Sequence, residues 1–369
     1  MKKEVEEKNI IENRIEALRK EIKEHKLTGF LITCQENRRY FSGFKATDPM
    51  LTESSGSLFI TDKKLYLLTD SRYVLAAAEE APLFEVIDCQ VSLGGAVAKL
   101  AGNNPIIGFE AENLTVAREH EFKRSFKRVE LVPSPMNVSS LRISKSPQEI
   151  ADITKALRIT EKAIGLLWDE LKVGSTESWA AWFLDRHFRD LGGEGPAFET
   201  IVAAGPRAAL PHASPGSKKI TASEMVVIDC GARYNGYASD ITRTMTPGKI
   251  LPWQKEIYRI VREAQLKALE IIGPGVPANV VDKVARNHIF EAGYGDYFGH
   301  SLGHGVGLAV HEAPSLNPIN KKPLEVGSVV TIEPGIYLPN RGGVRLEQLV
   351  LITENGKKVL NSDKHFYDF

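Results

Sequence analysis

A two-domain α/β chain is the architecture this sequence predicts, and three observations predict it. Over roughly the first 135 residues, short β-type runs alternate with helical runs, the pattern of an α/β layer. The stretch PSPMNVSSLRISKSP (133–147) then breaks the pattern with Pro and Ser and reads as a linker. Beyond it, two long helical patterns, a hairpin signal, two more helices and a series of strands describe a larger α+β unit. We assign 1–135 to an N-terminal α/β domain, 136–146 to the linker and 147–369 to the α+β C-terminal domain, and 369 residues are enough for both.

The first element is an amphipathic helix over 3–26, with Ile11, Ile15, Leu18 and Ile22 at helical spacing. Its acidic residues are as common as its basic ones, which favours packing on a domain over lying on a membrane. Strands are expected at GFLIT (29–33), SLFIT (57–61), KLYLLT (64–69), FEVIDC (84–89), IIGFE (106–110) and VELV (129–132). Helices are expected between them at 72–81, 92–102 and 115–126, the last opened by Thr115 as a cap. After the linker, Ser146 caps a helix with Pro147 in its first turn and Glu149 close behind. That helix runs to about 172 and another spans about 176–191. Asn235-Gly236, between VVIDCGARY and YASDIT, signals a hairpin, and helices follow at about 252–271 and 277–292.

Composition narrows the function classes. Hydrophobic residues are 43% and charged residues 25%, values of an ordinary soluble globular protein. Formal net charge is zero, so nothing points to nucleic acid or an anionic membrane as partner. No apolar run reaches the ~20 residues a bilayer span needs, and the start MKKEVEEKNI lacks a signal-peptide core. Cys34, Cys89 and Cys230 have neither paired nor metal-type spacing, which fits a reducing cytoplasm.

Chemistry concentrates in the last third. Asp229, Asp240, His304, Glu333 and Glu347 lie in VVIDCGARYNGYASDITRT, HSLGHGVGLAVHEAP, TIEPGIY and GGVRLEQ. Four carboxylates gathered in a core repel one another unless protonated or neutralised by cations, and a pair of divalent metals is the least costly neutraliser. Asp229 and Asp240 stand on the two arms of the hairpin, where they can face one side; two solvated aspartates are the plainer alternative. His304 sits between glycines that allow close backbone approach or unusual dihedrals, with His300 and His311 nearby. Taken alone, it also reads as a core histidine. Glu333 ends the apolar run VVTI, where a lone carboxylate is costly. Glu347 lies inside VRLEQLVLI, and Arg345 two residues earlier points to the same face, so a buried Arg345–Glu347 ion pair competes with a metal role there.

Taken together and in order, these motifs resemble the pita-bread metallopeptidases, the family of aminopeptidase P, prolidase and methionine aminopeptidase. The resemblance runs from FETIVAAGPRAALPHASP (198–215) to Glu347, and NRRYFSGF (37–44) and TDSRY (69–73) resemble a creatinase/prolidase-type N-terminal domain. That domain, with His212 and His300, matches the Xaa-Pro branch. The resemblance implies a pita-bread catalytic domain and two divalent metal ions held by Asp229, Asp240, His304, Glu333 and Glu347, with Asp240 and Glu347 bridging. It implies catalytic roles for Glu333, His212 and His311, and substrate contacts from His300, His311 and Arg345. Gln348, where the family often has Asp, and Ala76-Ala77-Ala78 after DSRY depart from the pattern.

The function expected is an exopeptidase that cleaves between an N-terminal residue and a following proline, an Xaa-Pro aminopeptidase. An Xaa-Pro dipeptidase (prolidase) is the close alternative. Metal-free creatinase-like chemistry and a non-catalytic binding protein on the same fold are the rivals, against which the complete ligand set argues. Two metals sharing one water would lower its pKa towards neutrality, with Glu333 handling the proton. A shell rich in carboxylates favours Mn(II), with Co, Fe or Zn also acceptable. Peptides with proline second are the expected partners, in a cytoplasmic homodimer that meets neither nucleic acid nor membrane.

Overall fold

The computed structural model describes residues 2–50, 52–89, 92–102, 105–125, 129–134 and 136–367, with side chains from residue 8. The chain forms two compact units, Met1–Arg142 and Ile143–Phe369. Among the described residues, no helix is long and apolar enough to cross a membrane.

In the first unit a six-stranded mixed sheet runs in the order Glu85–Asp88, Leu65–Thr69, Ser57–Thr61, Gly29–Ile32, Ile106–Phe109 and Glu130–Pro133. These are the six strands expected from the apolar runs. Gly29–Ile32 is antiparallel to Ser57–Thr61 and parallel to Ile106–Phe109. Helices form at Val74–Glu80, Leu93–Leu100 and Val116–Ser125, and Thr115 Oγ1 accepts from Arg118 N at 3.2 Å as a cap. Phe126, at the expected end of that last helix, and Pro135 of the linker lie outside the described residues. The helix Lys2–Glu24 buries Ile15, Leu18 and Ile22, and Arg14 Nη1 donates to Tyr40 O at 2.9 Å.

Tyr40 belongs to a helix, Gln35–Ser42, that periodicity did not predict. Its eight residues are too short and too polar to show an apolar stripe. Long-range bonds hold it instead. Arg38 is fully buried and donates to both carboxylate oxygens of Asp48 at 3.0 Å. Glu110, also buried, accepts from Thr33 N at 2.6 Å and Cys34 N at 2.7 Å just ahead of the helix.

The second unit opens as expected. Pro147–Glu170 carries a capping box, with Ser146 Oγ accepting from Glu149 N and the Glu149 carboxylate from Ser146 N. Helices Glu177–Asp190, Pro252–Ile271 and Ala278–Glu291 follow. The last two supply Tyr258, Val261, Ala264, Val281 and Ala285 to a core shared with Val330, Ile332, Val344, Leu346 and Val350. Transfer of such side chains from water contributes roughly 1.5–3 kcal/mol each, which fixes the strands from behind.

Three strands, Ile241–Met245, Val226–Cys230 and Ile201–Ala204, form one antiparallel sheet. Five more, Glu312–Leu316, Gly303–Gly305, Val329–Ile332, Gln348–Thr353 and Gly356–Val359, form another. The Asn-Gly turn is present, with positive φ at Asn235 (47°) and Gly236 (76°), the conformation a two-residue hairpin needs. The hairpin is not one continuous ladder, however. Ala232–Tyr234 and Tyr237–Ala238 make their own small sheet with Gly195–Pro196. In the main sheet Asp229 stands opposite Thr242, and Asp240 precedes the strand by one residue. VRLEQLVLI also splits, into Gly342–Arg345 and Gln348–Thr353, with Leu346 and Glu347 in the break.

Candidate metal centre

Register brings the carboxylates together. Side chains alternate along a strand, so Asp240 and Thr242 share the face that Asp229 meets across the sheet. Asp229, Asp240 and Glu347 each offer an oxygen within 4.8 Å of the others. A second group, His304, Glu333 and Glu347, meets the same limit, and so does a third, Asp240, His304 and His311. Glu347, Asp240 and His304 each belong to two groups. All five residues expected as ligands therefore converge, and Glu347 leaves its strand where the backbone can turn its carboxylate into the cluster.

Local sequence explains each placement. His304 lies on Gly303–Gly305, a strand squeezed between its neighbours. A Cβ on Gly303 would sit 2.0 Å from Thr331 O, and one on Gly305 would sit 2.3 Å from Ala313 O. Close approach, and not unusual dihedrals, is what these glycines provide. His304 N donates to Thr331 Oγ1 at 3.0 Å, and Thr331 Oγ1 donates to Glu333 Oε1 at 3.1 Å, so one threonine sets both. His304 Nε2 then lies 3.3 Å from Glu333 Oε1 and 3.6 Å from Asp240 Oδ2.

The Arg345–Glu347 pair that competed with a metal role for Glu347 does not form. Arg345 Nη2 donates to Asp229 Oδ2 at 2.6 Å, Nη1 to Tyr337 Oη at 2.9 Å and Nε to Thr242 Oγ1 at 3.0 Å. Thr242 Oγ1 in turn donates to Glu347 Oε2 at 2.8 Å. The break at Leu346 turns Arg345 and Glu347 apart, which period-two reasoning over an unbroken strand could not show.

Even so, charge stays unbalanced. Burial, together with Glu347, Asp229 and Glu333, pushes Asp240 well above the usual carboxylate range, and burial with Glu333 and Asp229 does the same to Glu347. Burial opposes the charges of His304 and Glu333 too, but their pairing prevails: His304 rises to about 9 and Glu333 falls. Among the described residues, Asp229 Oδ1, Asp240 Oδ1 and Glu347 Oε1 are buried and accept no hydrogen bond. Buried oxygens left this way are costly unless a cation meets them. This donor set therefore fits divalent metal ions. Cys230 is buried beside it and belongs to none of the three groups; burial and the nearby carboxylates raise its thiol well above the ordinary value.

The remaining candidates rim the cluster. His311 is exposed and packs edge-on against His304, ring centroids 4.3 Å apart. Although the residue is exposed, partial burial of its ring against His304, with the His304 charge, lowers its pKa, and His212 adds to the effect. His212 itself is exposed and follows Pro211, whose carbonyl accepts from Arg345 Nη1 at 3.3 Å. His300 is lowered chiefly by burial, and its Nε2 lies 2.9 Å from Tyr337 Oη.

Two residues escaped the sequence reading. Tyr337, inside the quoted TIEPGIY motif, links His300 to Arg345. Gln265, on the helix Pro252–Ile271, donates from Nε2 to Ile332 O at 3.1 Å and Leu346 O at 2.8 Å. Those carbonyls immediately precede Glu333 and Glu347. A polar residue set among the apolar positions Tyr258, Val261, Ala264 and Ala268 was the available signal.

Known proteins match the chain in both of its units. The profile of metallopeptidase family M24 matches residues 151–354, and that of the creatinase/prolidase N-terminal domain matches 14–144. An Xaa-Pro dipeptidase of Pyrococcus furiosus is 39% identical, over 95% of this chain and 98% of that protein. The structure of an Xaa-Pro dipeptidase from Bacillus anthracis superposes with a TM-score of 0.90 at 36% identity, covering 96% of this chain and 98% of that one. An X-Pro aminopeptidase from Thermotoga maritima superposes at 0.82, also with 36% identity, covering 92% and 97%.

Proposed function

Because this chain belongs to metallopeptidase family M24 and carries the creatinase/prolidase N-terminal domain, we propose that it is a metal-dependent Xaa-Pro dipeptidase. The observation that carries the metallopeptidase chemistry is the buried cluster of Asp229, Asp240, His304, Glu333 and Glu347, with three carboxylate oxygens unpaired. For specificity, near full-length likeness to dipeptidases supports the dipeptide substrate over the longer peptides of the aminopeptidase reading. The Thermotoga relative keeps aminopeptidase action as the second reading.

Two divalent ions held by these five residues would supply Lewis-acid activation of water and of the scissile carbonyl. Manganese suits the carboxylate-rich donor set best, and Co, Fe or Zn are acceptable substitutes. Glu333, anchored through Oε1 by Thr331, takes the proton of the attacking water and returns it to the departing proline nitrogen. His311, kept neutral near pH 7 by its lowered pKa, donates a hydrogen bond to the oxygen that becomes negative, with His212 beside it. His300, oriented by Tyr337 and Ser301, forms a wall against which a proline ring packs. Arg345 fixes Asp229. Three unpaired cysteines are compatible with the cytoplasm as its compartment.

Metal-stripped protein, with and without added Mn(II), should be given Xaa-Pro dipeptides and matching Xaa-Pro-Yaa tripeptides. Mn-dependent release of proline from the dipeptide, with slow turnover of the tripeptide, is the expected result. Faster cleavage of the tripeptide would return the protein to the aminopeptidase reading. Equal cleavage of Xaa-Ala would remove the proline requirement.

A further inference from the structure

We propose that the segment 361–367 positions Glu347 for metal binding, acting through Asp363 and Arg243. Arg243 lies on Ile241–Met245, between Thr242 and Thr244, and its side chain points to the face opposite the carboxylate cluster. It is fully buried. Its Nε and Nη2 donate to the two oxygens of Asp363 at 2.9 and 2.5 Å, a fork that holds the guanidinium plane in one orientation. Phe366 packs on that plane, 4.2 Å from guanidinium carbon to ring centroid.

The remaining nitrogen does the positioning. Arg243 Nη1 donates to Thr242 O at 2.8 Å and to Glu347 O at 2.6 Å. Glu347 N donates back to Thr242 O at 3.1 Å, and Thr242 Oγ1 reaches Glu347 Oε2. Glu347 sits in the break between two strands, so no sheet ladder fixes its peptide. Arg243 and Thr242 fix it instead. Asp363 is the anion that makes a buried guanidinium tolerable at this point.

Asp363 is itself held. Glu161, on the helix Pro147–Glu170, accepts from Ser362 N at 2.6 Å, Asp363 N at 3.2 Å and Ser362 Oγ at 2.8 Å. His365 Nδ1 lies 3.4 Å from Asp363 Oδ2. Glu347 belongs to two of the three candidate ligand groups, so a small displacement of its carboxylate acts on both. Asp363 and Arg243 are therefore positioning residues and touch neither metal nor substrate.

The inference rests on reading the cluster as a metal site, independently of which peptide is cleaved. Calorimetric titration of metal-stripped protein with Mn(II) tests it, alongside melting temperature and proline release at rising Mn(II). Asp363→Asn is expected to weaken Mn(II) binding by roughly 10–100-fold, as loss of partners behind a ligand does, while kcat at saturating Mn(II) stays within a few-fold of the parent. Asp363→Glu, which keeps the charge, should recover part of the affinity. Tyr367→Phe removes the bond from Thr246 N to Tyr367 Oη in the same segment and should lower the melting temperature with Mn(II) affinity unchanged. Parent-like Mn(II) affinity in Asp363→Asn, whatever its melting temperature, would overturn the proposal. Should that variant not fold, parent-like affinity in Arg243→Lys, which loses the Nη1 bond to Glu347 O, does so. A parent that binds no Mn(II) overturns the metal reading with it, and a parent that binds Mn(II) without cleaving dipeptides overturns only the dipeptidase reading.

Discussion

Arg345 gives its Nη2 to Asp229, 116 residues earlier in the chain, at 2.6 Å. Its near neighbour Glu347 is left to Thr242. One cation thus meets one oxygen of Asp229 and leaves its Oδ1, with Asp240 and Glu347, free to face a metal. The same guanidinium reaches Tyr337, whose hydroxyl lies 2.9 Å from His300 Nε2, so Arg345 links the proposed substrate side to the carboxylate cluster.

Arg345→Met should separate them. Breaking a buried ion pair by removing one partner costs about 3–5 kcal/mol. Asp229 would then carry its charge alone, and activity at fixed Mn(II) should fall by roughly 10–100-fold. Steady-state kinetics across a Mn(II) titration checks this, since added metal should restore part of the rate.

Metal removal should destabilise the fold, and more so as pH rises. In the metal-free protein Asp240 and Glu347 have raised pKa values. A raised folded-state pKa stabilises the fold below the unfolded carboxylate value and loses that contribution as pH climbs through the raised one. Bound metal reverses the trend by favouring the charged forms, adding about 2.7 kcal/mol at a hundredfold excess over Kd. Melting curves with EDTA and with Mn(II) should diverge increasingly as pH rises above the ordinary carboxylate range; curves that run parallel would contradict the assignment.

His311→Ala distinguishes a rim histidine from a ligand. If His311 serves the oxyanion, kcat should drop on the order of 100-fold while Mn(II) uptake stays at the parent level. Loss of Mn(II) uptake would place it instead with Asp240 and His304, a grouping the distances also permit.

Gly305→Ala tests the close approach beside His304. Its Cβ would meet a backbone oxygen that cannot rotate away, 2.3 Å distant. Overpacking of this kind costs roughly 1–3 kcal/mol. Differential scanning calorimetry should show a lower melting temperature, with Mn(II) affinity reduced as His304 shifts.

The sequence was most informative where local chemistry decides the structure. Asn235-Gly236 predicts its turn, Ser146 and Glu149 predict their capping box, and the apolar runs mark the strands, because each depends on neighbours in the chain. The ligand motifs were legible for a related reason: carboxylates beside apolar strands demand an explanation. What escaped depended on distant partners. The helix Gln35–Ser42 is held by Asp48 and Glu110. Arg345's partner depends on a strand break at Leu346. Gln265 shows its purpose only when Ile332 and Leu346 lie beside it.

The five clustered residues come from well-separated stretches between Asp229 and Glu347, on two different sheets and the bends beside them. No fragment of the chain therefore contains the cluster in miniature. During synthesis it cannot exist until Glu347 has emerged and the intervening chain has closed, so the full set can hold ions only from that point on. Once seated, they act as a cross-link between remote parts of the unit, and their escape should be governed by the rate at which that unit opens as a whole.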